Sequence, residues 1–93
     1  MADVQVQKTA SDDKYQFEVT VSERGGETRH RVSLSRADYQ RLAGGKASPE
    51  ELVQESFRFL LERERKESIL RSFDLTVIGR YFPEYQGMIR DRL

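Results

Sequence analysis

The chain has 93 residues, of which 37% are hydrophobic and 34% are charged, and this length predicts one small domain with a modest core. Sixteen basic and sixteen acidic residues give a net charge of zero, which excludes the strong positive field of a general nucleic-acid or anionic-membrane binder. The chain has no cysteine and a single histidine, His30, so disulfides, thiol chemistry and multi-histidine metal sites are excluded as well.

The N-terminal segment, residues 1–12, carries a short alternating pattern. Val4 and Val6 alternate with glutamines, an arrangement typical of a strand with one buried face. The polar residues 11–13 then provide a turn. We therefore expect residues 1–12 to add a third strand to the sheet or to be flexible.

The next segment predicts an antiparallel β-hairpin. Residues 15–22 and 31–34 alternate apolar with polar side chains, as strands with one buried face do. Gly25 and Gly26 lie between the two runs, and paired glycines accept the positive φ values of a two-residue hairpin turn. A turn at these glycines predicts the following pairs on the dry face: Val21 with His30, Val19 with Val32 and Phe17 with Leu34.

Two helices follow, each with signals at its ends. Ser35, with Asp38 three residues later, predicts an N-cap, and Gly44 predicts the C-terminal stop of a short helix. Ser48, followed by a proline and by Glu51, predicts a capping box at the start of the second helix. That helix continues as an apolar stripe at three- and four-residue steps: Leu52, Val53, Phe57, Leu60 and Leu61.

A third apolar segment, from Ile69 to Phe82, has helical spacings, with Asp74 as a candidate cap for a new start within it. Pro83 predicts that the helix ends near Tyr81 or Phe82, and residues 87–93 are expected to form a frayed or loosely helical tail. The predicted fold is a single α+β domain over residues 1–93. It consists of an antiparallel hairpin, with or without the N-terminal strand, followed by three helices packed on one sheet face.

The polar residues form no catalytic pattern. The carboxylates lie at helical spacings from basic residues, as Glu62 does from Lys66, which is typical of a solvated helix face. His30 is predicted to face Val21 rather than a nucleophile or an acid. We therefore expect a protein that is not an enzyme, with no catalytic residue, cofactor or metal. The sequence has neither a membrane-spanning apolar run nor a signal-peptide pattern, so we expect a cytoplasmic protein.

Residues 29–63 follow an order of short strand, capped helix, glycine turn and second helix, and residues 24–46 carry six basic and two acidic residues, a net of +4. This order resembles the ribbon-helix-helix family of DNA-binding regulators and antitoxins, in which strands from two chains pair and enter the major groove. The resemblance implies that Arg29, Arg31 and Ser33 contact bases and that Ser48 contacts a phosphate. The predicted hairpin departs from that family, because it pairs the strand within one chain.

A second resemblance covers residues 48–85. It is carried by ESF at 55–57, FLLERE at 59–64, SILRSFDL at 68–75 and RYFPEY at 80–85. These strings resemble a family of small uncharacterised prokaryotic proteins, in which a proline is expected at the position of Arg65. The resemblance implies one folded unit and no particular mechanism.

Aromatic and apolar residues crowd the C-terminal segment, which has two interpretations. Tyr81, Phe82, Tyr85 and Met88 either close the core or form an exposed patch for a partner, and Phe59 lies off the main stripe of its helix. We favour a small non-enzymatic protein-interaction module that uses these five residues. The expected partner is another protein or a second copy of the chain, in a homodimer. A DNA-binding regulator is the alternative, and neither a membrane nor a metal is expected as a partner.

Overall fold

The computed structural model describes residues 2–93, in which four strands form one mixed sheet in the order β1-β2-β3-β4. Three long strands are antiparallel: β1 (Asp3–Ser11), β2 (Lys14–Glu23) and β3 (Gly26–Ser35). The short strand β4 (Ser72–Asp74) lies parallel to β3. The N-terminal residues therefore form the third strand of the antiparallel part, with Val4 buried as its alternation indicates.

The helices cover one face of this sheet. They are α1 (Arg36–Ala43), α2 (Pro49–Leu61), α3 (Val77–Tyr81) and α4 (Tyr85–Arg92), with a 3₁₀ turn at Lys66–Ser68. The predicted caps of the first two helices are confirmed. The Ser35 hydroxyl accepts from the backbone N–H of Asp38, and Ser48 and Glu51 form a reciprocal capping box. No helix within residues 2–93 is long and apolar enough to cross a bilayer.

The hairpin turn lies one residue earlier than predicted. Arg24 and Gly25 have φ values of 54° and 78°, and Glu23 pairs with Gly26. Pairing partners consequently move by two residues, so Val19 faces His30 and every side chain keeps its predicted face. This register pairs both strands over their full ten residues, whereas a turn at Gly25 and Gly26 would extend the pairing into α1.

The segment from Ile69 to Phe82, predicted to be helical with Asp74 as a candidate new start, is helical only after that position. Its first part is extended and pairs with β3, since the N–H of Arg31 donates to the carbonyl of Arg71 at 2.7 Å. Helix α3 spans only Val77–Tyr81 and ends before Pro83, as predicted. A parallel pair needs a crossover connection, and here α1 and α2 supply it.

Of the two alternatives for the C-terminal residues, frayed or loosely helical, the structure has a helix, and this helix is packed on the domain. Helix α4 runs to Arg92, and its residues Tyr85 and Ile89 are fully buried against the rest of the domain. They join a core formed by the inner face of the sheet and by all four helices. Its largest apolar members include Phe17, Leu34, Leu42, Leu52, Phe57, Phe59 and Leu75.

Candidate functional site

Two of the five residues expected at a protein interface belong to the core. Phe59 has no exposed surface, because the Arg63 guanidinium lies 3.7 Å from its ring centre and the Phe82 and Tyr85 rings pack edge-on against it. Arg92 covers the same ring at 5.7 Å. Phe59 is therefore unavailable to a partner, because cation–π and aromatic contacts from its own chain cover it.

Tyr85 is also inaccessible. Its hydroxyl lies 2.6 Å from Ser56 Oγ, and Ser56 in turn donates to the carbonyl of Leu52 at 2.7 Å. With the Ser56 proton used in that bond, the Tyr85 hydroxyl donates to Ser56 Oγ. Burial, which outweighs this bond, raises the pKa of Tyr85 to about 12. Tyr85 is a hydrogen-bonded core residue.

The other three candidates lie nearer the surface, in two places. Tyr81 is 68% exposed at the end of α3, and Phe82 beside it is partly buried. Met88 is 37% exposed on α4, where its sulfur lies 3.2 Å from an Arg63 nitrogen. Tyr81 and Phe82 line an apolar groove to which Met88 does not contribute.

This groove has a volume of about 290 Å³ and lies between the end of α2, the extended segment leading into β4, and α3. Its floor contains the buried residues Leu60, Ile69 and Ile78. At its rim, Leu70 is 49% exposed and Tyr81 is 68% exposed, so large apolar side chains border an apolar concavity. Exposed apolar surface of this kind is typical of sites that receive an apolar group from a partner or ligand.

One acidic side chain, Glu64, also lines the groove. Its carboxylate makes no ion pair and no side-chain hydrogen bond with any other residue from 2 to 93. Burial against the apolar lining raises the pKa of Glu64 above its ordinary value, because the charged form loses hydration there. The groove therefore presents one negative charge on a surface that is otherwise apolar except for Ser68.

The main chain at the groove rim is fixed to the sheet by His30, which is buried. Its Nδ1–H donates to the carbonyl of Leu70 at 2.8 Å, and its Nε2 accepts from the Thr28 hydroxyl at 2.8 Å. The ring also packs on Phe57, with ring centres 5.3 Å apart. Burial lowers the pKa of His30, and the nearby Arg71 charge lowers it further, so the imidazole is neutral at pH 7.

The four residues expected to contact DNA are not brought to one surface. Arg29, Arg31 and Ser33 lie along the open outer face of β3, whereas Ser48 begins α2 in the helical layer on the opposite face. Ser33 donates to the Asp74 carboxylate at 2.8 Å. The strand itself has β2 on one side and β4 on the other, so both of its edges are paired within the chain.

The local excess of positive charge is also dispersed. Arg29 lies 3.6 Å from Glu27, Arg41 lies 3.1 Å from Asp38, and Arg36 bonds the carbonyls of residues 11 and 12. A polar cleft of about 530 Å³ on the outer face is bordered by two basic residues, Lys14 and Arg31, and by two acidic ones, Glu18 and Asp74. The formal charge of this cleft is therefore zero.

Among residues 2–93, no group of three or more His, Asp or Glu residues could hold a metal ion.

The sequence pointed to Tyr81 and Phe82 but not to Leu70 or Glu64. Glu64 had a usable signal, because it follows Leu60 by four residues and so continues the buried stripe of α2 with a carboxylate. Its position among the charged residues 62–67, however, is equally typical of a solvated helix face. No family model matches this chain, and neither a curated protein nor a solved structure matches it.

Proposed function

We propose that this protein is a non-enzymatic interaction module that binds an extended or helical segment of a partner protein in the apolar groove. The observation that carries the proposal is the exposure of Leu70 and Tyr81 over an apolar floor. Burying such side chains against a partner is favourable by roughly 1.5–3 kcal/mol for each full burial.

The groove is also suited to binding because its walls are held in place. The hydrogen bond from His30 fixes the main chain at Leu70, and the ring of Phe82 packs at right angles on buried Phe59. A site that is already ordered loses little conformational entropy when it binds. Two exposed rim side chains are a small part of the surface that a stable dimer buries, about 800 Å² per partner. A short inserted segment therefore suits the groove better than a second folded copy.

Regulation through DNA binding is the weaker candidate. It would require Arg29 and Arg31 to act as free cations on an open strand. Arg29 instead lies beside Glu27, and Arg31 lies on a strand with neighbours at both edges. No contact of these residues favours nucleic acid over solvent, so we do not adopt this function.

A selection from a random twelve-residue peptide library tests the proposal. Peptides selected on the wild-type protein should lose at least tenfold in affinity for Tyr81→Ser and for Leu70→Ser. Both side chains are exposed, so neither substitution removes core packing. Met88→Ser is the matched control, because Met88 is an exposed apolar residue outside the groove.

Two outcomes would overturn the proposal. The first is that no selected peptide distinguishes the wild-type protein from the groove variants. The second is a homodimer at micromolar concentration, seen by sedimentation, that Tyr81→Ser dissociates. That result would assign the groove to a second copy of the chain.

A further inference from the structure

We infer that the groove selects a partner segment in which the inserted apolar side chain carries or adjoins a cationic group, and that Glu64 is the counter-ion. This inference rests on the proposed function, because it specifies what enters the same groove. It assigns a binding role to Glu64, and it assigns to the partner a chemistry: an apolar body with a lysine- or arginine-like charge at its end.

Four carboxylates in this part of the chain differ in whether a cation of the same chain pairs with them. Glu62 lies 2.5 Å from an Arg92 nitrogen, Glu84 lies 3.2 Å from Arg63, and Glu67 lies 2.6 Å from Lys66. Of these three and Glu64, only Glu64 makes no such pair with any residue from 2 to 93. The fold thus provides cations for the acidic side chains around the groove but not for the one that lines it.

The surroundings of the Glu64 carboxylate also favour a cation. Apart from Ser68, its neighbours in the groove are apolar or aromatic, and partial burial disfavours its charged form, as the raised pKa of Glu64 shows. A carboxylate that has lost some of its hydration gains more from an arriving cation than a fully hydrated one does. An arriving anion would meet an uncompensated negative charge in the same place.

The aromatic residues of the groove lining also attract a cation. Tyr81 and Phe82 border the same groove as Glu64. An ammonium or guanidinium group is attracted to the faces of aromatic rings within about 6 Å. Arg63 already makes such a contact with Phe59 and lies 6.0 Å from the centre of the Phe82 ring, so of the two bordering rings Tyr81 is the one that has no such contact with any residue from 2 to 93. The Glu64 carboxylate and the Tyr81 ring together favour a cation over a neutral polar group.

Three small probes of similar shape test the inference: phenethylamine, phenethyl alcohol and phenylacetate. Each offers a phenyl ring on a short arm, and at pH 7 the arm ends in a cation, a neutral hydroxyl or an anion. Titrations followed by amide shifts should show the amine binding about two- to fivefold more tightly than the alcohol, as for a partly exposed ion pair, and the acid binding most weakly.

Variants separate the charge effect from the apolar one. Glu64→Gln should reduce the affinity for phenethylamine to that for phenethyl alcohol and leave the alcohol unchanged. Glu67→Gln, which removes a carboxylate outside the groove, should preserve the preference. Equal binding of amine and alcohol to the wild-type protein would overturn the role of Glu64 while leaving the groove as a site. Absence of groove shifts with all three probes would overturn the inference and the proposed function together.

Discussion

His30 in β3 and Leu70, forty positions later, are joined by a hydrogen bond of 2.8 Å from the imidazole Nδ1 to the main-chain carbonyl. The bond connects a buried residue of the sheet to an exposed residue of the groove rim. The bond also holds the segment that connects α2 to β4 against the sheet. The shape of the groove therefore depends on the His30 side chain, which does not itself line the groove.

Replacing His30 with leucine should lower the free energy of unfolding by about 1–3 kcal/mol, because the Leu70 carbonyl loses its donor inside the protein. Asparagine is the matched control, since its side-chain amide nitrogen can occupy the position of the imidazole Nδ1. Urea unfolding measures both variants. If His30→Asn is as destabilised as His30→Leu, the bond to Leu70 is not what His30 contributes.

The same histidine should make stability depend on pH in a defined window. Burial lowers the pKa of His30 below its ordinary 6.5, so the unfolded chain binds a proton more readily than the folded protein. This contribution to stability is complete above pH 6.5 and is lost as the pH falls from 6.5 toward the lower folded value. Between pH 7.5 and 5.5, wild-type stability should fall more steeply than that of His30→Asn. If stability falls with pH to the same extent in both proteins, His30 does not have a lowered pKa in the folded protein.

The hairpin turn can be tested at three adjacent positions. Arg24 and Gly25 have positive φ, so Arg24→Asn should stabilise the protein by about 0.5 kcal/mol and Gly25→Ala should destabilise it by about 1 kcal/mol. No atom lies within 4 Å of a Cβ added at Gly25, so that cost is purely conformational. Gly26→Ala should stay within about 0.5 kcal/mol of wild type. If Gly26→Ala lowers the free energy of unfolding more than Gly25→Ala does, the result would favour a turn at Gly25 and Gly26 instead.

The hydrogen bond between Tyr85 and Ser56 predicts an asymmetry between its two partners. Tyr85→Phe leaves Ser56 bonded to the Leu52 carbonyl and should cost about 0.5–1.5 kcal/mol. Ser56→Ala leaves the buried Tyr85 hydroxyl without its partner and should cost about 1–3 kcal/mol. Thermal unfolding of both variants checks the order, and the reverse order would show that the Tyr85 hydroxyl does not remain unsatisfied when Ser56 is removed.

Local signals in the sequence predicted the parts of this fold that are determined locally. The Ser48 and Glu51 capping box and the alternation around Phe17 each depend on residues within a few positions of one another. Strand β4 is not predictable from local pattern because it has only three residues and pairs with residues 41 positions away. Its alternation of Phe73 and Leu75 with polar residues lies inside a segment whose apolar spacing also fits a helix.

The candidate site likewise contains some residues that the sequence indicates and others that depend on tertiary contacts. Tyr81 and Phe82 were recognised because aromatic residues next to a proline are visible in the sequence. The burial of Phe59 was not predictable from its helix, because Arg63 and the rings of a later segment cover it. Leu70 takes its place at the groove rim because His30, in strand β3, bonds its main-chain carbonyl. Tertiary contacts, rather than local pattern, decide which apolar residues remain exposed.

The most direct test of the proposed interaction site is amide-shift mapping with the tightest peptide from the library selection. The largest shifts should fall in residues 60–82, should include Leu70 and Tyr81, and should be abolished by Tyr81→Ser. Shifts concentrated on the outer face of the sheet, at Arg29, Arg31 and Ser33, would contradict binding in the groove and would place the binding surface on β3.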